Sequence, residues 1–135
     1  MTRDPVVRLR LVGGLATFVV GAIHLQQYAD FIKDVPAIGM LFLLNGLAAG
    51  MVCLALGTRG RIFGALGGIA VSVGAIASLA IARFAASGLF DYVEPTFGAP
   101  VLIAVVAEVI AVLFLASYLA SRSRSWAELG RERYP

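Results

Sequence analysis

Four side chains sit where they could do chemistry from inside apolar segments: His24, Asn45, Arg83 and Glu108. An ionisable group near the middle of a spanning helix costs about 2.5–3.5 kcal/mol on insertion scales, so it needs a partner or a task. Glu108 stands out, because a carboxylate has too short a stem to reach a headgroup from that depth. It therefore demands a partner, with His24 the first candidate and Arg83 the second. A buried His–Glu couple can exchange a proton near neutral pH. It can equally hold a divalent metal through one nitrogen and carboxylate oxygens, or hydrogen-bond a quinone-like headgroup. Plainer roles compete with each. His24 can donate to a backbone carbonyl, Asn45 can glue two helices together, and Arg83 can snorkel to the headgroups.

Acidic residues surround this layer in sequence. Asp30, Asp34, Asp91 and Glu94 fall in the flanking loops and would concentrate cations at an outer mouth. The chain has one His and one Cys, too few for a dedicated zinc site without carboxylates. A haem held by two histidines would need a second chain. Neither a zinc-protease helix, a phosphate-binding loop nor a nucleophile elbow occurs, so no catalytic residue is assigned and an enzyme is the weakest class.

The elements that must position these groups follow from composition. Apolar residues make up 60% of the 135 and charged residues 14%, with a mean hydropathy of +0.91. A soluble globule this small could not hide so much apolar surface. About 20 apolar residues cross the hydrocarbon as a helix. Four stretches qualify: residues 7–28, 37–56, 62–86 and 101–120. Their short connections make sequential helices antiparallel neighbours, which predicts an all-α, up-down-up-down transmembrane bundle and a single domain over residues 1–135. Residues 121–135, with four Arg, two Glu and Trp126, read as a short amphipathic or disordered tail.

Orientation comes from the arginines. Arg3, Arg8 and Arg10 precede the first span, Arg59 and Arg61 join the second to the third, and Arg122, Arg124, Arg131 and Arg133 follow the fourth. The other two loops carry the acids and Lys33. The positive-inside rule puts both termini in the cytoplasm. The net charge of +3 is then a by-product of topology and no sign of nucleic acid as a partner. A secretory signal is the competing reading of the apolar run 11–23, but no small-x-small cleavage site follows it. Ten of the eleven basic residues are Arg, and Ala and Gly abound, which fits a GC-rich bacterial genome and a bacterial cytoplasmic membrane. The lone Cys53 cannot form an intramolecular disulfide and reads as packing.

Small residues must supply the helix contacts, since apolar burial drives nothing within lipid. The expected inward stripes are Gly14, Thr17, Gly21, His24 and Tyr28; Gly39, Gly46, Gly50, Cys53 and Gly57; Gly64, Gly68, Ala75, Ser78, Ala82 and Ala85; and Ala104, Glu108 and Ala111. Pro36 and Pro95 each precede an inward-running span, each with an acid before it and a glycine three residues on, which suggests two related hairpins. The loop 88–97 carries three aromatics and two acids, an interfacial belt or a lid over the polar layer.

His24-Leu25, the run 36–45 ending in Asn45, Gly88-Leu89-Phe90 with Glu94, and Glu108 together carry a likeness. Over roughly residues 20–110 the chain resembles uncharacterised small four-span bacterial integral membrane proteins and, more loosely, the DoxX-like group. That resemblance implies four spans and draws attention to the His/Asn/Glu layer. Small multidrug transporters match in size, but they carry an acid in the first span and this chain has none in the body of its own. The leading expectation is a membrane binding or accessory protein, a small subunit of a larger membrane complex, with an outer-leaflet polar pocket of His24, Asn45 and Glu108, and Arg83 as a further member. The alternative is a proton-coupled transporter acting as a homo-oligomer, with Glu108 carrying the proton.

Overall fold

A computed structural model describes residues 4–95 and 97–133, with side chains as far as Arg124. Arg3 and the side chains of Trp126, Arg131 and Arg133 lie outside the described residues. Four helices account for nearly all of it: α1 (Pro5–Gln27), α2 (Ile38–Gly57), α3 (Arg61–Phe84) and α4 (Ala99–Arg133). Each is long and apolar enough to cross a membrane. Large apolar side chains such as Leu15, Phe18, Met51, Leu54, Phe63 and Phe84 cover the outside. In water that surface would be ruinous; against acyl chains it is what a spanning bundle requires.

The chain runs up and down around a square. Each helix packs on the next, α4 closes on α1, and the α1–α3 diagonal touches only lightly. α1 starts cleanly because Asp4 accepts the Val6 N–H at 2.9 Å and Pro5 takes the first helical position, where its missing N–H costs nothing. Its other end differs from the expected loop. A π-helical turn, Tyr28–Ile32, carries the helix on, with Lys33 N–H donating to Tyr28 O at 3.0 Å. Single π turns are rare and cluster at functional places; this one starts four residues beyond His24. α4 also outruns its expected end. Residues 121–133 hold no proline and mostly Arg, Glu, Ala and Ser, so nothing stops the helix there.

Helices approach closely at the end that carries the termini. Leu115 of α4 is fully buried between Gly13 of α1 and Gly68 of α3. A Cβ on Gly13 would lie 2.6 Å from Leu115 Cδ2, and one on Gly68 2.5 Å from Leu115 Cδ1. Gly64 brings α3 so close to α2 that a Cβ there would sit 2.8 Å from the Leu56 backbone N. Val52, Leu56, Ala65, Leu115 and Tyr118 form the core around these contacts. Thr17 is buried here too and spends its hydroxyl on Gly13 O at 2.9 Å.

Two of the expected stripes need correction. In α2, Gly50 and Gly57 face open space, and Ala49, Val52 and Leu56 are buried instead. In α3, Ala85 is exposed and Ser72 is buried. The two-hairpin symmetry does not extend to local structure either. A Cβ on Gly39 would meet the Ile32 and Lys33 carbonyls, whereas Gly98 has room around it. Pro100, rather than Pro95, enters the first turn of α4.

Candidate functional site

Towards the other end, residues of all four helices line a cavity of about 380 Å³. Most of its wall is apolar, from Ile38, Leu41, Phe42, Leu44 and Ala48 of α2 and from Ala70, Val71, Ala75 and Leu79 of α3. Its polar lining is short: His24 and Gln27 from α1, Asn45 from α2, Ser78 from α3, Glu108 from α4, and Tyr92 and Glu94 from the loop above. An apolar hollow with a few convergent polar groups is the general form of a small-molecule site.

His24 and Glu108 meet across the α1–α4 seam. Nε2 lies 3.9 Å from Glu108 Oε1, and Glu108 is only 2% exposed. At that separation they are neighbours without a direct hydrogen bond. The other ring nitrogen is committed: Nδ1 is 2.9 Å from Val20 O. A carbonyl only accepts, so Nδ1 carries a proton and neutral His24 presents a bare Nε2 towards Glu108. The Phe42 ring lies against the imidazole, centroids 5.0 Å apart. Asn45, also in the cavity lining, buries its Oδ1 with no hydrogen-bond partner. A buried amide oxygen left unsatisfied costs about 1–3 kcal/mol, which a ligand donor would recover. At 1.5 Å per residue, Glu108 lies about 13 Å into α4 and Asn45 about 10 Å into α2.

Arg83 does not join them. It lies one residue, about 100°, past Ala82 of the cavity wall and is exposed. Its guanidinium sits 5.9 Å from the Phe97 ring centroid, within cation–π range. Of the four loop acids, Glu94 alone lines the cavity, while Asp30, Asp34 and Asp91 are exposed away from it. Among the described residues no three of His, Cys, Asp and Glu come together. A metal at His24 and Glu108 would have to take its remaining ligands from neutral oxygens or from its own bound groups.

The loop over the cavity has structure of its own. Leu89 and Tyr92 exchange N–H···O bonds of 2.8 and 3.0 Å around Phe90 and Asp91. Both central residues have positive φ, 50° and 63°, the geometry of a tight type I′ turn that ordinarily wants Asn-Gly. Gly88, at φ 65°, is required, because a Cβ there would overlap the Tyr92 carbonyl. Glu94 N–H then donates to Ala82 O at 3.1 Å and pins the loop to the last turn of α3. Tyr92 donates its OH to Glu94 Oε2 at 3.0 Å. Burial, aided by that bond and the nearby carboxylate charge, pushes the phenol up to about 12. Leu89, Tyr92 and Glu94 thereby form the cavity's roof.

Residue type alone marks this loop as a belt or a lid and singles out neither Tyr92 nor Gln27. Gln27 was findable, since it lies three residues from His24 and so on the same helix face. Tyr92 offered only an acid two residues on. No family model matches the chain, and no curated protein or solved structure matches it either. The fold and the site together define a four-helix, membrane-spanning bundle with a lidded, largely apolar cavity floored by a His–Glu pair.

Proposed function

We propose that this chain is an integral membrane binding protein that takes the headgroup of a small amphiphile, quinone-like in chemistry, between His24, Glu108 and Asn45. One observation carries the reading: His24, Asn45 and Glu108, from three helices, line one cavity of about 380 Å³ whose wall is mostly apolar. A flat hydroquinone ring would lie along Phe42, Leu79 and Ala75, with its hydroxyls donating to the His24–Glu108 pair and to Asn45 Oδ1. Because Nε2 and Oε1 are not hydrogen-bonded to each other, each keeps capacity for a ligand oxygen or its proton. Four apolar helices joined by short connections fit a subunit of a larger membrane complex in the bacterial cytoplasmic membrane.

The test is a titration of the purified protein, in mild detergent, with a short-tailed benzoquinol, whose hydroxyls can donate to these acceptors. Saturable binding at one site per chain is expected, weakened about tenfold by Asn45→Leu and by Glu108→Gln, the loss of roughly one hydrogen bond each. Equal uptake by the wild type and both variants would mean simple partition into the micelle and would end the proposal.

The rival, a proton-coupled transporter, draws on the burial of Glu108 beside His24. There, Glu108→Gln would abolish pH-driven substrate movement in vesicles without loss of fold.

A further inference from the structure

A second hollow, of about 170 Å³, lies at the opposite end of the bundle from the lidded cavity. Three helices converge on it. Arg10 comes from α1, Arg61 from the first position of α3, and Arg122 and Tyr118 from α4. Asp4 is the acid in its lining, and that carboxylate already caps α1 through Val6 N–H. Arginines at the ends of spans usually splay outwards into water and headgroups, where they mark topology and little more. These three line one hollow together despite mutual repulsion.

Two buried donors there are unused. Tyr118 is 2% exposed and its OH has no hydrogen-bond partner, and Arg122 Nε is buried without one. A buried polar group left unpaired in this way is a cost the fold retains only where something else meets it. Both groups are donors in this setting, and the guanidinium forks around them only donate. The group they would satisfy must therefore be an acceptor, anionic, and multiply oxygenated.

We propose that this hollow binds a phosphate group. Guanidinium forks match phosphate oxygens two at a time, and the Tyr118 hydroxyl supplies a further donor from the floor. The same chemistry is offered by the phosphodiester of an anionic phospholipid and by free phosphate. Val6 and Val7, also in the lining, give an apolar wall beside which an esterified glycerol can lie. On the positive-inside reading this end faces the cytoplasmic leaflet, whose anionic lipids are drawn to juxtamembrane basic clusters. The proposal concerns the far end of the bundle and does not depend on what the lidded cavity holds.

Native mass spectrometry of the full chain, released from mild detergent, tests it with three probes: phosphatidylglycerol, phosphatidylcholine and inorganic phosphate. The wild type should retain one phosphatidylglycerol per chain, at least about tenfold tighter than phosphatidylcholine. Arg122→Met should lose that preference, and Tyr118→Phe, which keeps the ring and its packing, should weaken retention several-fold. Arg59→Met is the control. Arg59 is exposed in the α2–α3 connection at the same end and does not line the hollow, so its loss should change little. Competition by millimolar inorganic phosphate would assign the site to the free ion, and its failure to compete would assign it to the lipid. If Arg59→Met weakens binding as much as Arg122→Met, or if Tyr118→Phe leaves it untouched, diffuse surface charge suffices and the site does not exist. Should Arg122→Met fail to fold, Arg122→Lys keeps the charge without the fork and should still lose most of the preference.

Discussion

Adding one methyl group to Gly13 or Gly68 should loosen the whole bundle, whereas adding it to Gly50 should tighten it. Leu115 is fully buried, and the two glycines press on it from α1 and α3. Alanine at position 13 would put its Cβ 2.6 Å from Leu115 Cδ2 and 2.7 Å from Cγ; at position 68 it would come 2.5 Å from Cδ1. A leucine tip can normally swing aside. This one cannot, because moving away from one glycine drives it into the other. Overpacking of that kind costs about 1–3 kcal/mol. Alanine gains about 1 kcal/mol over glycine in a helix, so the net loss should be roughly 0–2 kcal/mol at each site. Gly50 has nothing within 4 Å of its would-be Cβ and should show the helix gain alone. Unfolding by an ionic detergent titrated into mild-detergent micelles, followed by helicity, reads all three. The pair should also be coupled through Leu115: in a Leu115→Ala background, itself costing about 2–5 kcal/mol, Gly68→Ala should become nearly neutral. If Gly13→Ala and Gly50→Ala move stability in the same direction, the helix faces assigned here are wrong.

Two further expectations concern the lid. Difference absorbance between the wild type and Tyr92→Phe should show a phenol titrating near 12; burial raises it, so lid stability is intact below about pH 10 and is lost as pH climbs through that value. A difference spectrum that titrates at the ordinary phenol position would mean Tyr92 is free of Glu94 and the roof is open. Replacing Phe90-Asp91 with Asn-Gly should relieve two left-handed residues at about 1 kcal/mol apiece and slow amide exchange at Leu89 and Tyr92; unchanged or faster exchange would argue against the type I′ turn.

How well the bundle could be read in advance varied with the kind of residue. Glu108 and His24 were placed on one layer because helical rise fixes depth and because a carboxylate buried in lipid needs a partner whatever the rest of the chain does. Arg83 shared their depth but not their direction. Its long stem made either course open in the sequence, and the choice turned on Phe97, a ring in the following loop that stacks under the guanidinium. Small-residue stripes misled in α2 for a related reason. Glycine marks a place where something can come close, and the partner's side chain decides whether anything does. Gly13, Gly64 and Gly68 received Leu115 and Leu56, while Gly50 and Gly57 received nothing. The bulky Val52 and Leu56 turned inward because α1 and α3 supplied the holes.

By itself the sequence determined four spanning helices, their antiparallel order and the depth of each polar group, because apolar length, loop length and rise per residue are local quantities. Only the tertiary structure decided where helices touch and where they part. The cavity exists because all four helices and the loop above bring side chains around one space, and the arginine hollow exists because α1, α3 and α4 bring theirs around another. Both are set by contacts between side chains far apart in the chain, whose distances no single segment encodes.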